Sequence, residues 1–562
     1  MQEAGDWLVP TVNHEPYLAK PPMFYWVQLA IAELRSAETG ELELRLTAAL
    51  AGLAGVLATY WLVRKLMAAE AGSLGRPSIA REAALWSALF LATGPLYVRS
   101  SRIGELDILL APFVVVSIGA VVSAWLTWRE RGRVSFGMLA LATLSAVGAA
   151  LTKGPPAIAV IAVAGYGPIV LDAVFNGRPA QPTRAAARLS LLGLIVLAAA
   201  AAAATLPKVG GVEEAIGAGL IIATCGGIGW VLGRAFEPAA MRSIFRTFSW
   251  THPVAVLGTP LLALWGWGRL VSRRIGPENA EFWARKETED NLNVLVPISP
   301  IKNLEAMSFG VGLGSLLTIA ALLWLISRRP RMTPSWLVPA AWVVFGFAVF
   351  SLLGKGIGRY LTPVWPGLAM LGGIWIAQML AKDRNAQLVR TVLAGTVVVA
   401  ACASGWWYGF GREAYFPSRS PRAIVHELRD SGVRTDRMAS FEFRTAAIDF
   451  YARSRAEPVG DIQIRDVTAG GKPWTLEELR SDIASNGERI VFMRERQLGS
   501  DGRDPRPAAE RLAEAGMAVD PIATTSRFTI DSGKSNVIAA RVTVRREQGV
   551  GSDPEGPAGV RR

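Results

Sequence analysis

Cysteine and histidine are scarce in this chain of 562 residues, which has two cysteines and three histidines. The two cysteines, Cys225 and Cys402, exclude a disulfide scaffold and a cysteine-rich metal site. The histidines, at positions 14, 252 and 426, lie far apart, which argues against a zinc hydrolase built on several of them. The sequence also lacks a GxxxxGK[ST] and a GxGxxG motif, so nothing supports the use of a nucleoside triphosphate or a dinucleotide.

Charge is also low. Charged residues make up 19% of the chain and apolar residues 51%, with a mean hydropathy of +0.31. This composition argues against a disordered chain and against a purely soluble enzyme. The net charge of +13 could indicate a nucleic-acid partner. In a chain with many apolar segments, however, cytoplasmic loops are the expected place for basic residues, and we expect no nucleic acid.

Apolar stretches of about 15 to 22 residues recur from residue 44 to residue 411, and a bilayer core needs about 20 apolar residues per helix. Twelve stretches are candidate transmembrane helices: 46–63, 83–98, 108–128, 136–152, 156–171, 189–207, 215–233, 254–268, 308–327, 335–353, 361–381 and 391–411. The weakest are 215–233, which is rich in glycine, and 254–268, which is short.

Basic residues are concentrated in alternate loops, and this bias predicts the orientation in the membrane. Six short loops carry nineteen of them: Arg64, Lys65, Arg76, Arg81, Arg129, Arg131, Arg133, Arg178, Arg184, Arg188, Arg234, Arg242, Arg246, Arg328, Arg329, Arg331, Lys382, Arg384 and Arg390. We expect these loops in the cytoplasm, and residues 1–43 and everything after 411 on the other side.

Composition divides the chain into four regions. Residues 1–43 are predicted to form an extracytoplasmic interfacial segment, 44–411 the transmembrane domain, 412–546 an extracytoplasmic α/β domain, and 547–562 a disordered tail. In the third region SPRAIVHELRDSG, TAAIDFYAR, TLEELRSDIASN and RPAAERLAEAGMAV indicate helices, while RMASFEF, RIVFMRE and NVIAARVTVRR indicate strands. The predicted fold class is a polytopic all-α membrane protein with an added α/β domain.

The segment RSSRIGELD leads directly into the apolar helix LLAPFVVV and places two carboxylates, Glu105 and Asp107, at its mouth. A carboxylate at a membrane interface is costly unless it is paired or lies in a wet cavity. Two interpretations of Asp107 remain open at this point. It is either a helix-start acid paired with Arg102 or a residue of a functional cavity.

Cations recur in three other segments expected on the same side of the membrane. Lys153 ends a helix in LTKGPP, Lys355 and Arg359 precede Tyr360 in GKGIGRYLTP, and Lys20 stands before two prolines in the aromatic amino-terminal segment. Taken alone, the Lys153 segment is typical of a snorkelling lysine, and the Lys20 segment is typical of an interfacial segment. Together with Arg102, these cations and the nearby carboxylates suit a lipid-linked phosphate substrate. The cations would stabilise the phosphate and its leaving charge, and a carboxylate would act as a base.

The motifs GDWLVPTVNHEPYLAKPPMFYW, RSSRIGELDILLAPF, LTKGPP and GRYLTPVWPGLAML occur in order over residues 5 to about 410. This series resembles the bacterial aminoarabinose transferase and protein O-mannosyltransferase-like family, which are membrane glycosyltransferases of the GT-C fold. The resemblance implies transfer of a sugar, with inversion, from a polyprenyl-phosphate donor to a lipid or protein acceptor outside the bacterial cytoplasmic membrane.

By this resemblance Lys20 contacts the donor phosphate, Asp107 lines the catalytic cavity, and Lys153, Arg359 and Tyr360 surround the donor head group. We count Glu105, Arg102 and Lys355 as further substrate-binding candidates.

The sequence departs from the family at two points. The family has a first membrane helix and an Asp-Glu pair before the GDW motif, whereas this sequence begins four residues before it, so we expect a misplaced start or a truncation. Many relatives also carry a glutamate where Ala19 stands. Because that glutamate can help to bind a divalent metal, metal binding stays open here.

Two other functions remain open. A lipid or sugar transporter or flippase would show similar hydropathy and similar cations, although we find no inverted repeat, and the predicted outer domain favours an enzyme. A catalytically inactive homologue is the second alternative, because the Asp-Glu pair is not in the sequence.

Overall fold

The structure, a computed structural model, describes residues 1–2, 5–12, 15–74, 77–176, 184–235, 251–281, 285, 295–328, 332–353, 358–411, 425, 428, 430, 432, 438–441, 457–459, 475–494, 508–524 and 537–544. The chain divides into two compact units, which are described separately. The membrane unit comprises Met1–Pro10 and Leu18–Gly405, and the sheet unit comprises Thr11–Tyr17 and Trp406–Arg562.

The described part of the membrane unit is built from α-helices. They are α1 Met23–Leu34, α2 Glu41–Leu74, α3 Pro77–Ala92, α4 Pro95–Ser100, α5 Leu106–Arg131, α6 Phe136–Lys153, α7 Pro155–Ile161, α8 Gly167–Asn176, α9 Arg184–Thr205, α10 Val212–Ala235, α11 Thr259–Ile275, α12 Ser299–Gly310, α13 Leu313–Arg328, α14 Pro334–Leu352, α15 Trp365–Leu380 and α16 Ala386–Trp406. A π-helical turn, Ala162–Tyr166, joins α7 to α8, and a 3₁₀ turn, Gly358–Leu361, precedes α15.

Nine helical segments among the described residues are long and apolar enough to cross a membrane, or ten if the bent pair α12–α13 forms one span. The chain is therefore a polytopic helical membrane protein. The two weakest predicted spans, 215–233 and 254–268, fall on long apolar helices, α10 and the segment Val254–Ile275. Two further predicted spans fall on helices of 16 residues, α3 and α15, which are short for a bilayer core. The count of twelve stays a prediction.

Two predicted spans are interrupted. Stretch 83–98 is divided into α3 and α4, because Gly94 is extended and Pro95 starts a new helix at its first position. Stretch 308–327 falls on α12 and α13, which meet at an angle of 114° at a break that contains Gly312, whose φ is +54°.

Helix α5 lies at the centre of the membrane unit and packs against α2 and α6. Its residues from Ile108 to Ala111 are all buried, as are Val114 and Val115. The hydroxyl of buried Tyr97 donates a hydrogen bond of 2.8 Å to the carbonyl of Gly52, which ties α4 to α2. This packing fixes the start of α5 relative to the neighbouring helices.

The sheet unit contains a short antiparallel pair, β1 Thr11–Val12 and β2 Glu15–Pro16, and a five-stranded sheet. The strands of this sheet are β3 Met438–Phe441, β4 Glu457–Val459, β5 Arg489–Arg494, β6 Met517–Thr524 and β7 Val537–Val544. Their spatial order is β4-β3-β5-β7-β6. Strands β4, β3 and β5 are parallel, and β7 is antiparallel to both of its neighbours, β5 and β6.

Two helices, α17 Leu476–Asn486 and α18 Ala508–Glu514, accompany the sheet. Thr475 and Glu478 form a capping box at the start of α17. The predicted strands RMASFEF, RIVFMRE and NVIAARVTVRR coincide with β3, β5 and β7. The predicted helix RPAAERLAEAGMAV is wrong at its end, because Gly516, with a φ of +79°, follows α18 and β6 begins at Met517. The predicted helix TAAIDFYAR, most of SPRAIVHELRDSG and the tail 547–562 lie outside the described residues.

Candidate active site

The start of α5 places two carboxylates at one end of the membrane unit. Glu105 occupies the N-cap position without a capping hydrogen bond from its side chain, and Asp107 lies in the first helical turn. Gly104, just before them, has a φ of +66°, and the side chain of Leu44 occupies the place where a Cβ would lie. A larger residue does not fit this turn, so glycine fixes how the loop enters α5.

Asp107 forms an ion pair with Lys153, which lies in the last turn of α6. The two helices pack against each other along the chain's α5–α6 hairpin, so the end of α6 meets the start of α5. The side chains are 10% (Lys153) and 5% (Asp107) exposed. Each charge also suits its helix end, because the helix dipole favours an anion at the amino terminus and a cation at the carboxyl terminus.

Gly154 ends α6 with a φ of +76°, and Pro155 opens α7 directly afterwards. The sequence Lys-Gly-Pro-Pro therefore stops one helix immediately after the lysine and starts the next. This local break holds Lys153 at the end of α6.

The 3₁₀ turn Gly358–Leu361 brings Tyr360 and Arg359 to the same place. The ammonium nitrogen of Lys153 lies 3.9 Å from the centre of the Tyr360 ring, and the guanidinium carbon of Arg359 lies 5.5 Å from it. Both distances are within the range of cation–π attraction. One aromatic ring thus contacts the two cations.

Glu105 has partners of its own. Its carboxylate lies 3.4 Å from the guanidinium of Arg99 and 3.9 Å from that of Arg359, and it accepts a hydrogen bond of 3.2 Å from the hydroxyl of Ser100. Burial works against the charged form of Arg359, but Tyr360 and the nearby carboxylates outweigh it and raise the arginine's pKa. Arg359 is consequently a permanent cation.

Lys20 lies close enough to Lys153 for the two charges to interact. Its ammonium group donates a hydrogen bond of 2.7 Å to the carbonyl of Ala19. The structure therefore brings six of the predicted residues into one group: Lys20, Glu105, Asp107, Lys153, Arg359 and Tyr360.

One predicted residue, Arg102, is not part of this group. Arg102 is exposed, and within the described residues it makes no ion pair with either carboxylate. The partner of Asp107 is Lys153 rather than Arg102. Lys355 lies outside the described residues.

Sequence reasoning missed Arg99 and Ser100 as partners of Glu105. Arg99 and Arg102 stand three residues apart, and nothing in the sequence distinguishes them. The structure does, because Arg99 and Ser100 belong to α4, whereas Arg102 lies in the turn that follows.

Metal binding, which the sequence left open, stays a prediction. In the part of the chain that the structure describes, no three side chains of histidine, cysteine, aspartate or glutamate are grouped to hold one. Asp107 and Glu105 are each engaged by cations, and Ala19 offers no side-chain ligand.

The described residues thus form a polytopic helical protein with a cluster of cations around a buried carboxylate. Comparison with known proteins shows what this chain is similar to. Residues 19–202 match the sequence model described as dolichyl-phosphate-mannose-protein mannosyltransferase. No curated protein matches the chain. These 184 residues, counted from 19 to 202, include Lys20, Glu105, Asp107 and Lys153.

Among solved structures the chain is similar to ArnT from Cupriavidus metallidurans. The structure bound to undecaprenyl phosphate gives a TM-score of 0.58 at 17% identity and covers 96% of this chain and 91% of that one. The apo structure gives 0.57 at 17% identity, covering 96% and 90%. The family resemblance predicted from the motifs is confirmed, and the fold is that of ArnT.

Proposed function

We propose that this protein transfers a sugar from a polyprenyl-phosphate donor to a lipid or protein acceptor at the outer face of the bacterial cytoplasmic membrane, with inversion at the sugar carbon. The observation that carries the proposal is the buried Asp107–Lys153 ion pair. Arg359 lies close to this pair, because Lys153 and Arg359 both contact the Tyr360 ring. A carboxylate and a set of cations are the two groups that transfer from a phosphate leaving group requires.

In this proposal Lys20, Lys153 and Arg359 hold the phosphate of the donor. Charge-assisted hydrogen bonds to phosphate are shorter and stronger than neutral ones, and the cations also stabilise the charge that develops when the sugar leaves. Support comes from the relative whose structure contains undecaprenyl phosphate. The matching family is also described by a dolichyl-phosphate sugar.

Asp107 orients the acceptor nucleophile or the reactive sugar. In the ligand-free protein its charge is balanced by Lys153. When a phosphate enters, Lys153 can share its three hydrogens between the phosphate and the carboxylate. The lysine then links donor binding to the position of Asp107, so that the acid is in place when the sugar is present.

The outer-face location is supported by the nineteen basic residues of the alternate loops, which the positive-inside bias assigns to the cytoplasm. The start of α5 and the end of α6 lie at the opposite ends of these helices from Arg129, Arg131 and Arg133.

The proposal is tested with the full-length chain reconstituted in lipid, supplied with undecaprenyl-phosphate sugars and candidate acceptors. We expect release of undecaprenyl phosphate that depends on the acceptor. Movement of the donor between leaflets without release would instead establish a flippase, and donor binding without either would establish an inactive homologue.

A further inference from the structure

Glu105 is a second carboxylate at the site, and the proposed reaction assigns it no role. It lies at the N-cap position of α5, but its side chain does not cap the helix. Its oxygens face Arg99, Arg359 and the hydroxyl of Ser100. A carboxylate held in this way acts as an anion already present in the phosphate site.

The exposure of the three charged side chains shows which of them an incoming anion can reach. The carboxylate of Glu105 is 13% exposed, whereas the side chains of Arg99 and Arg359 are 39% and 45% exposed. The distance from Glu105 to Arg359 is 3.9 Å, the longer of its two ion pairs. Arg359 can therefore turn toward a phosphate while Glu105 remains next to it, held by Arg99.

Donor and product of the proposed reaction differ in charge at the phosphate. The donor is a phosphodiester with one negative charge. In the transfer the acceptor oxygen forms a bond to the sugar carbon, the bond from that carbon to the phosphate oxygen breaks, and its electron pair leaves with the phosphate. The acceptor's proton passes to a base or to water. The product is a phosphate monoester, which carries close to two negative charges at neutral pH.

A cationic site binds the product more tightly than the donor for this reason, and a fixed negative charge next to the phosphate opposes that preference. Repulsion from a carboxylate is proportional to the charge of the ligand, so it weakens binding of a dianion about twice as much, in free energy, as binding of a monoanion.

We propose that Glu105 is a specificity-determining residue that lowers the affinity of the site for the dianionic polyprenyl phosphate relative to the monoanionic donor, and so promotes product release. This inference rests on the proposed function. Its chemical content is discrimination between a phosphate monoester and a phosphodiester by one carboxylate placed between Arg99 and Arg359.

The test measures binding of two short-chain probes, farnesyl phosphate and farnesyl methyl phosphate, to the purified full-length protein. Replacing Glu105 with glutamine keeps the size and the hydrogen bond from Ser100 but removes the charge. At about pH 7.5 we expect Glu105→Gln to bind the diester about threefold and the monoester about tenfold more tightly, because one and two unit repulsions are lost.

At about pH 5.0 the monoester keeps one proton and carries a single negative charge, since its second pKa is about 6. The increase in its affinity on Glu105→Gln should then fall to that of the diester. Glu105→Asp keeps the charge and should retain the wild-type preference between the probes. Glu82→Gln is the matched control. It removes a carboxylate that is 19% exposed and paired with Arg390, near the opposite end of α3 from the site, and should leave the ratio unchanged.

Two failures are distinguishable. If the monoester-to-diester ratio in Glu105→Gln equals that of the wild type, or if both probes bind more weakly, the role proposed for Glu105 is wrong while the phosphate site stands. If neither probe binds the wild-type protein, the phosphate site itself is lost, and the proposed function falls with it.

Discussion

Lys153 and Asp107, separated by 46 residues in the chain, form a buried ion pair where α6 ends and α5 begins. The helix dipoles favour each charge at its helix end, but they do not explain why both charges are buried. A buried ion pair seldom stabilises a protein more than apolar side chains of the same size would, because both ions lose their hydration. The proposed function uses both charges and so accounts for their burial at this position.

The first prediction concerns Asp107. Replacement by asparagine preserves the shape but leaves Lys153 buried without its counter-charge, which we expect to cost about 3–5 kcal/mol of stability. Sugar transfer should fall by about 100-fold or more, the scale of acid–base groups. Transfer from a polyprenyl-phosphate sugar and thermal unfolding, measured on the same preparation, check the two parts.

A double variant separates the two effects. Asp107→Asn with Lys153→Gln carries no uncompensated charge, so its stability should recover most of the loss while its activity stays low. Full activity in Asp107→Asn alone would remove Asp107 from the site.

The second prediction concerns the phosphate-binding cations. Lys20→Ala and Arg359→Ala should each weaken binding of undecaprenyl phosphate by about 10- to 150-fold, since a charge-assisted hydrogen bond contributes roughly 1.5–3 kcal/mol. Lys153→Ala and Lys355→Ala are expected to act in the same direction. Arg45→Ala, which removes an exposed cation paired with Glu41, serves as the control. Unchanged binding in all four site variants would mean that the cations do not form a phosphate site.

The third prediction concerns orientation. A reporter that is active only in the cytoplasm should be silent when it is fused after Arg412, because the nineteen basic residues predict that this position lies outside. The same reporter fused after Gly132, in the loop between α5 and α6, should be active. Activity at Arg412 contradicts the proposed topology.

The fourth prediction concerns the turn before α5. Gly104→Ala places a methyl group against Leu44 at a φ of +66°, so it combines a steric clash with backbone strain. Gly132 has a φ of +61° with open space around it, so Gly132→Ala tests the strain alone. We expect about 1 kcal/mol of destabilisation at Gly132, and at least twice that at Gly104. Donor binding should fall only in the Gly104 variant. Thermal unfolding and probe binding that are equal in the two variants would contradict this.

The residues that meet at the site were largely predictable because each stands next to a local break in a helix. Lys153 precedes a glycine and two prolines, Asp107 follows Gly104, and Arg359 stands among glycines. Such breaks occur at the ends of membrane helices, and helix ends on one side of the membrane come together. Their pairing was not predictable. The choice of Lys153 over Arg102 as the partner of Asp107 depends on the packing of α6 against α5.

The hydropathy pattern also did not predict where the apolar stretches are interrupted. The division between α3 and α4 depends on one extended residue, Gly94, followed by a proline. The bend between α12 and α13 depends on the conformation of Gly312. Hydropathy averages over about 20 residues and does not register a change of direction at one of them.

That bend has a consequence for the environment of the site. If α13 runs along the bilayer normal, α12 lies about 24° from the membrane plane, the excess of 114° over a right angle. Its exposed Leu304 and Phe309 then meet the layer where acyl chains give way to head groups. Helix α12 also packs against α4 and the Gly358–Leu361 turn, which carry Arg99 and Arg359. In the proposed function, a lipid-borne phosphate would then approach the two arginines by lateral diffusion within its leaflet.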